Sequence, residues 1–335
     1  MCAQKTKVGA VRASHQRYPI SQCCLYKIGS RSRLADLLYI EKVDLVTLPG
    51  ERSYKVFTLP EKRDEFSGKI KKKRIVQDPK RPLRRVHDRI LYLLNKIELP
   101  EYVHAAVKGR SYRSNAAAHT TAAHEVLTLD IKSFYPSVSY LLVREFFRYK
   151  MKCASDVATT LADLCTYKGA LPTGSPLSPL LSYFACGDMF DELNRLAVEC
   201  GLKFTCYVDD LTFSGEKIPG DLESRVKSVL RRYGHRLAVD KTIRYRPHSP
   251  KSVTGCILHN GAIHVPHSRF RKARMLAAAI ATTDDPALTH KLYERLAGLL
   301  GEAAYLDGRF TSWKEDTARL LKLATQKLGA AKEAT

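Results

Sequence analysis

Three aspartates carry the sharpest chemical signal in this chain. Asp130 ends the short apolar run Val126-Leu127-Thr128-Leu129, and Asp209 and Asp210 close the segment Tyr207-Val208-Asp209-Asp210. If folding brings these three carboxylates together, they repel one another and raise one another's pKa values unless cations share the site. Magnesium suits such a place, because a hard ion prefers oxygen ligands and keeps waters and substrate phosphates in its shell, so a few carboxylates suffice. Two Mg2+ ions about 4 Å apart can activate a hydroxyl nucleophile and hold a leaving pyrophosphate, and they stabilise the charge that builds up between them. Mn2+ is the expected substitute, since it also accepts carboxylate and water ligands. An Asp-Asp pair is equally good turn chemistry, so its meaning depends on the company it keeps.

The elements that must position these residues are legible in outline. The run ending at Asp130 reads as a strand, and the chain turns at Pro136 into a helical stretch from Leu141 to Met151. Leu171-Pro172-Thr173-Gly174-Ser175-Pro176-Leu177-Ser178-Pro179 is a loop rich in helix breakers, followed by a helix that Gly201 ends. Phe204 to Ser214 reads as a hairpin whose arms meet at Asp209-Asp210. Strand, helix, then hairpin predicts an antiparallel sheet with helices on one face, an α+β architecture. Upstream, the spacing of Leu34, Leu37, Leu38 and Ile40 predicts a helical N-terminal extension over 1–45. Tyr54 to Pro79 reads as a basic hairpin, with a loop holding Gly68 and then the run Lys69 to Ile75, and Val86, Ile90, Leu91, Leu93 and Leu94 mark an amphipathic helix within Arg81 to Glu98. Downstream come Val253-Thr254-Gly255 and a tight hairpin at Asn260-Gly261. Three helices complete the chain, over His267 to Thr282, Pro286 to Leu306 and Ser312 to Leu328, and the first carries Arg269, Arg271, Lys272 and Arg274.

Composition narrows the partner. Lys and Arg outnumber Asp and Glu 56 to 34, for a formal net charge of +22, and such a field attracts polyanions whose condensed counterions are released on binding. RNA or DNA is the expected partner. No run approaches the ~20 apolar residues of a spanning helix, and Met1-Cys2-Ala3-Gln4-Lys5 lacks the apolar stretch of a secretory signal, so the expected location is cytoplasmic, away from membranes. Nine scattered cysteines with no C-x-x-C pair fit neither a disulfide framework nor a zinc site.

Taken together, the strand-terminal Asp130, the Thr173-Gly174-Ser175 loop and Tyr207-Val208-Asp209-Asp210 resemble motifs A, B and C of the reverse transcriptase family, in the family's order, within a resemblance that covers roughly residues 50 to 260. The resemblance implies a right-hand polymerase: a helical extension over 1–45, fingers over 46–124, a palm over 125–250 with a fingers insertion near 141–175, and a small basic helical thumb over 251–335. It also implies that Asp130, Asp209 and Asp210 bind the catalytic metals. Tyr135 stands where the family has an aromatic that clashes with a ribose 2′-hydroxyl, so it is the implied gate for deoxynucleotides; the other reading is a core tyrosine. Ile131 and Gly174 are implied nucleotide contacts, Gly174 because its lack of bulk permits close backbone approach. The family usually has Gln where this chain has Thr173. Arg74-Ile75-Val76-Gln77-Asp78-Pro79 is similar to a fingers pattern whose Arg grips the incoming triphosphate with its planar fork, although Arg74 also fits a solvated charge run. Lys241, in Val239-Asp240-Lys241-Thr242, looks like the lysine that protonates pyrophosphate.

Two further segments resemble signatures of the bacterial retron enzymes: Asn115-Ala116-Ala117-Ala118-His119, of the form N-A-x-x-H, and Val253-Thr254-Gly255. Asn115 and His119 offer hydrogen bonds to a nucleic acid or to local backbone, Val253-Thr254-Gly255 is an RNA contact or a strand leading to a turn, and Arg269, Arg271, Lys272 and Arg274 suit a structured RNA read by shape or a solvated helix face. The retron resemblance implies a cognate noncoding RNA as template and primer, dNTPs as substrates, and synthesis started from an RNA 2′-hydroxyl. Its product is a branched RNA-linked single-stranded DNA, used in antiphage defence with a separate effector protein. With no nuclease motif after the last helices and no room for a ribonuclease H domain, the effector is expected on another chain. The alternatives are an intron-type, diversity-generating or abortive-infection reverse transcriptase, or a non-catalytic RNA-binding protein on the same fold.

Overall fold

The structure, a computed structural model, describes residues 17–63 and 70–333. Gly68, Lys69 and positions 1–16 of the expected N-terminal extension lie outside the described residues. The rest of that extension is only partly helical: α1 (Arg31–Leu38) is capped by the Ser30 side chain, which accepts from Arg33 N, and α2 (Asp44–Thr47) is a single turn. The basic hairpin forms from β1 (Tyr54–Leu59) and β4 (Arg74–Pro79), antiparallel from Tyr54 opposite Pro79 to Leu59 opposite Arg74, with the short strands β2 (Lys62–Arg63) and β3 (Ile70–Lys71) pairing beyond it. α3 (Arg81–Leu94) buries Leu83, Val86, His87, Ile90, Leu93 and Leu94 along one stripe, as its periodicity requires. α4 (Tyr112–Ala117) opens with a reciprocal capping box between Ser111 and Ser114.

The central sheet has four antiparallel strands in the order β6-β7-β5-β8, from β5 (Glu125–Asp130), β6 (Lys203–Tyr207), β7 (Asp210–Gly215) and β8 (Ile243–Tyr245). Alternation sorts its two faces. Leu127, Leu129, Phe204, Cys206, Leu211 and Phe213 join the main apolar core. Thr205, Thr212, Ser214, Asp130, Asp210 and Tyr207 share the opposite, polar face, since the register pairs Thr128 with Thr212, Asp130 with Asp210, and Tyr207 with Asp210.

Between β5 and β6 the chain forms α5 (Phe134–Ser137), α6 (Tyr140–Glu145) running into a wider π turn over Phe146–Lys150, α7 (Ser155–Cys165), α8 (Ser178–Ala185) and α9 (Gly187–Glu199). The single helix expected after the breaker-rich loop is therefore two, parted at Cys186, whose backbone leaves helical geometry at φ −111 and ψ 18. α10 (Leu222–Arg232) packs beside α9. A second sheet, β9 (Lys251–Val253), β10 (Cys256–His259) and β11 (Ala262–His264), precedes α11 (His267–Ala281), α12 (Pro286–Leu306) and α13 (Thr311–Glu333). A small apolar cluster of Ala116, Val126, Val253, Cys256, Leu258 and Leu306 ties this C-terminal part to the central sheet. The α+β architecture expected from the sequence is the one observed. Among the described residues no helix is long and apolar enough to cross a membrane.

Candidate active site

Two strand ends and one turn assemble the carboxylates. The β5–β7 register sets Asp130 opposite Asp210, and the Ile131 amide donates to Asp209 O at 3.0 Å, closing the ladder at the turn. The turn itself is Val208-Asp209, one residue earlier than the expected apex, because Asp210 is already paired in β7. Val208 has φ +60, a conformation that costs a β-branched residue energy and survives where surrounding structure fixes it. On the other side, Ala238 N donates to Asp130 O at 2.8 Å and the single turn Val239–Lys241 delivers Lys241 Nζ to within 2.6 Å of Asp130 Oδ2.

The electrostatics result from this crowding. Burial, then the charge of Asp130, raises the Asp209 pKa; burial, then the charges of Asp209 and Asp130, pushes Asp210 up to about 7. Partial burial works against the Lys241 charge, but its bond to Asp130 and the nearby Asp209 and Asp210 outweigh that and raise its pKa. A divalent cation would relieve such repulsion, and the donors are the hard oxygens that Mg2+ prefers. Among the described residues no three His, Cys, Asp or Glu side chains form a ready ligand cage; Lys241 is the cation that Asp130 holds. The donor set thus fits a metal whose shell is completed by water and phosphate oxygens.

The neighbouring residues fall into place unevenly. Tyr135 comes after Ser133, which turns the chain at φ +51, and is half-buried; burial, then the Asp209 charge, raises its pKa. Arg74 is exposed at the end of the β1–β4 ladder, and its charge is felt at Asp209. Ile131 is fully buried with its amide committed to Asp209, which leaves neither its side chain nor its N–H for a nucleotide. Gly174 does permit a close approach, but by the chain's own β4: its N–H donates to Gln77 O at 3.1 Å, and a Cβ there would stand 2.7 Å from that oxygen. Thr173 N lies 3.0 Å from Gln77 Oε1, and the Thr173 hydroxyl lies 3.0 Å from both Ile75 O and Gln77 Oε1, so the loop is stitched to the hairpin that carries Arg74.

Sequence reasoning missed Gln77 and His87. His87 Nε2 donates to Leu164 O at 2.8 Å, so Nδ1 accepts the Ser175 hydroxyl at 2.7 Å, and Ser175 Oγ accepts from Leu177 N. Burial lowers its pKa to about 4, which keeps it neutral in that role. The signal was present: a histidine between Val86 and Ile90 on the apolar stripe of α3 demands a buried partner.

The residues expected to touch RNA divide. Asn115 and Val253 are fully buried and His119 is 1% exposed, all three engaged with their own chain. Gly255, at φ +78, is exposed and close to Arg269, and the half-buried Arg269 is paired with Glu302 at 2.7 Å. Thr254 donates to Tyr112 O at 2.9 Å. Arg271 and Arg274 are exposed on α11, while Lys272 is half-buried.

Residues 61–258 match the family model described as reverse transcriptase (RNA-dependent DNA polymerase). The chain belongs to that family and is an RNA-directed DNA polymerase of α+β, right-hand type. Its branch is that of the retron enzymes. The retron Se72 reverse transcriptase of Salmonella heidelberg is 31% identical over 267 residues, 74% of this chain and 67% of that protein. The retron Ec86 reverse transcriptase of Escherichia coli is 25% identical over 243 residues, 72% of this chain and 74% of that one. A solved foamy viral protease-reverse transcriptase in complex with double-stranded DNA aligns over 93% of this chain and 46% of that chain, with a TM-score of 0.46 and 15% identity.

Proposed function

We propose that this polymerase copies a cognate structured noncoding RNA into branched, RNA-linked single-stranded DNA, starting from an RNA 2′-hydroxyl and consuming dNTPs. Asp130, Asp209 and Asp210 are the residues that would hold Mg2+, or Mn2+ in its stead. When bound, the metal would supply Lewis-acid activation of the attacking hydroxyl and charge neutralisation at the leaving pyrophosphate. The single observation that supports this reading is the β5–β7 register that sets Asp130 against the Asp209–Asp210 turn, with Lys241 bonded at the same carboxylate.

The remaining groups take roles from their places. Lys241, whose pKa is raised and whose ammonium already sits at Asp130, is a proton donor for pyrophosphate. Arg74, at the end of the β1–β4 ladder and in electrostatic reach of Asp209, grips the triphosphate. Tyr135, beside Asp209, excludes the ribose 2′-hydroxyl. Gly174 keeps the motif-B loop flush with β4, which holds Arg74's hairpin in register with the site. Exposed Arg271 and Arg274 offer a phosphate-binding face for structured RNA.

In this reading residues 46–124 act as fingers, 125–250 as palm and 251–335 as thumb, with 1–45 an extension. A cytoplasmic role in antiphage defence with a separate effector protein is supported by the retron resemblance. The test is to express the protein with its flanking DNA and extract short branched DNA. Its presence in the wild type and absence in the Asp209→Asn, Asp210→Asn double variant is expected; normal branched DNA from the double variant would defeat the assignment.

A further inference from the structure

The two segments that carry the retron resemblance meet in space. His119 lies on the polar face of the central sheet, the face that bears the carboxylates, with Nδ1 2.6 Å from Ser214 Oγ on β7 and Nε2 2.8 Å from Thr205 Oγ1 on β6. It therefore clamps both arms of the hairpin whose turn is Val208-Asp209. Four residues back, Asn115 Nδ2 donates to Thr254 Oγ1 at 3.5 Å, and that hydroxyl donates to Tyr112 O at 2.9 Å. At the start of α4, Tyr112 Oη donates to Glu302 Oε1 at 3.2 Å, and the same carboxylate oxygen takes Arg269 Nη1 at 2.7 Å. Ser111 Oγ and Tyr305 Oη stand 2.8 Å apart. α4 is thus bonded at its start to α12, whose Glu302 in turn holds Arg269 of α11, and is followed by His119 on the carboxylate hairpin, with fully buried Ala116 packed between them.

Breaking one partner of a buried polar linkage leaves the other unsatisfied, and a close-packed interior passes a displacement on rather than absorbing it. Asn115 Oδ1 is buried without a partner, so the junction carries an unmet acceptor. We propose that Asn115 and His119 are positioning residues, through which α4 makes the placement of Asp209 and Asp210 depend on the C-terminal helices. RNA held against α11 would then help to set the carboxylates. The proposal rests on the polymerase reading above and deepens it.

The probe is extension of oligo(dT) on poly(rA) by the purified protein, with affinity for the RNA that copurifies with it measured in parallel. His119→Ala and Thr205→Val are expected to lower kcat about tenfold or more, as loss of a buried hydrogen-bond partner implies, while KM for dTTP and RNA affinity stay within about twofold. His119→Gln, whose amide can also donate and accept, should recover part of the rate. Asn115→Ala and Thr254→Ala should each lower kcat, and their double variant should be no worse than the worse single, the signature of one shared linkage. Thr205→Val keeps its shape, so it carries the test if His119→Ala fails to fold. RNA affinity that falls while kcat holds would make these residues RNA ligands and overturn the proposal, as would unchanged values of both. A wild type unable to extend the primer would instead overturn the polymerase reading.

Discussion

Tyr135 shows how far a single position can be read and where reading stops. Its likeness to the family's aromatic after motif A's Asp marked it as the sugar gate; in the fold, Ser133 at φ +51 turns the chain before it, and the half-buried phenol feels the Asp209 charge. Tyr135→Ala is expected to lower the preference for dNTPs over rNTPs in kcat/KM by at least about tenfold, the scale of one steric contact in a pocket. Single-nucleotide incorporation with each sugar measures it, and unchanged discrimination would assign the gate elsewhere. The three aspartates were legible by the company they keep: an Asp-Asp pair alone is good turn chemistry, and Asp130 and the Thr173-Gly174-Ser175 loop, in the order of motifs A, B and C, single it out. Asn115 and His119 were legible as a pattern but not as a place, since the same polar atoms serve RNA or the chain's own strands, and only packing decides. For Ile131, adjacency to Asp130 does not show that the side chain is buried and the N–H bonded to Asp209 O.

Hairpins and long amphipathic helices were the most readable elements. β1–β4, β6–β7, α3, α11 and α12 lie close to where alternation, periodicity and turn residues set them. The break at Cys186 had a signal in Gly187, which follows it and is a poor helix former, whereas the π turn at Phe146–Lys150 had none. The motif-B loop shows the limit most clearly: a glycine there signals close approach without naming what approaches. Since β4 itself is the neighbour, Gly174→Ala is expected to force the loop off Gln77, costing roughly 1–3 kcal/mol in unfolding free energy and raising KM for dNTPs as Arg74's hairpin shifts. Denaturant titration and steady-state kinetics test both; an unaffected variant would show that the loop and hairpin are not joined there.

At the scale of the whole molecule, four buried histidines link stability to pH. His87, His104 and His235 are lowered to about 4 and His119 to about 3, in every case chiefly by burial. Their folded pKa values lie below the unfolded value of about 6.5, so between roughly pH 6.5 and 4 the unfolded chain binds more protons and stability falls as pH falls. Each contributes a slope approaching about 1.4 kcal/mol per pH unit. His235→Gln should flatten the urea midpoint's dependence on pH over that window; an identical slope would show His235 to titrate normally in the fold. The same assembly of distant segments underlies the central claim, that Asp130 and the Asp209–Asp210 turn form one metal-binding site. It is tested most directly by single-nucleotide incorporation on an RNA template while Mg2+ is titrated, comparing wild type with Asp130→Asn and Asp209→Asn. Each variant is expected to lose roughly 10²-fold or more in kcat and to demand more Mg2+. A wild-type rate and Mg2+ requirement in Asp130→Asn would contradict it.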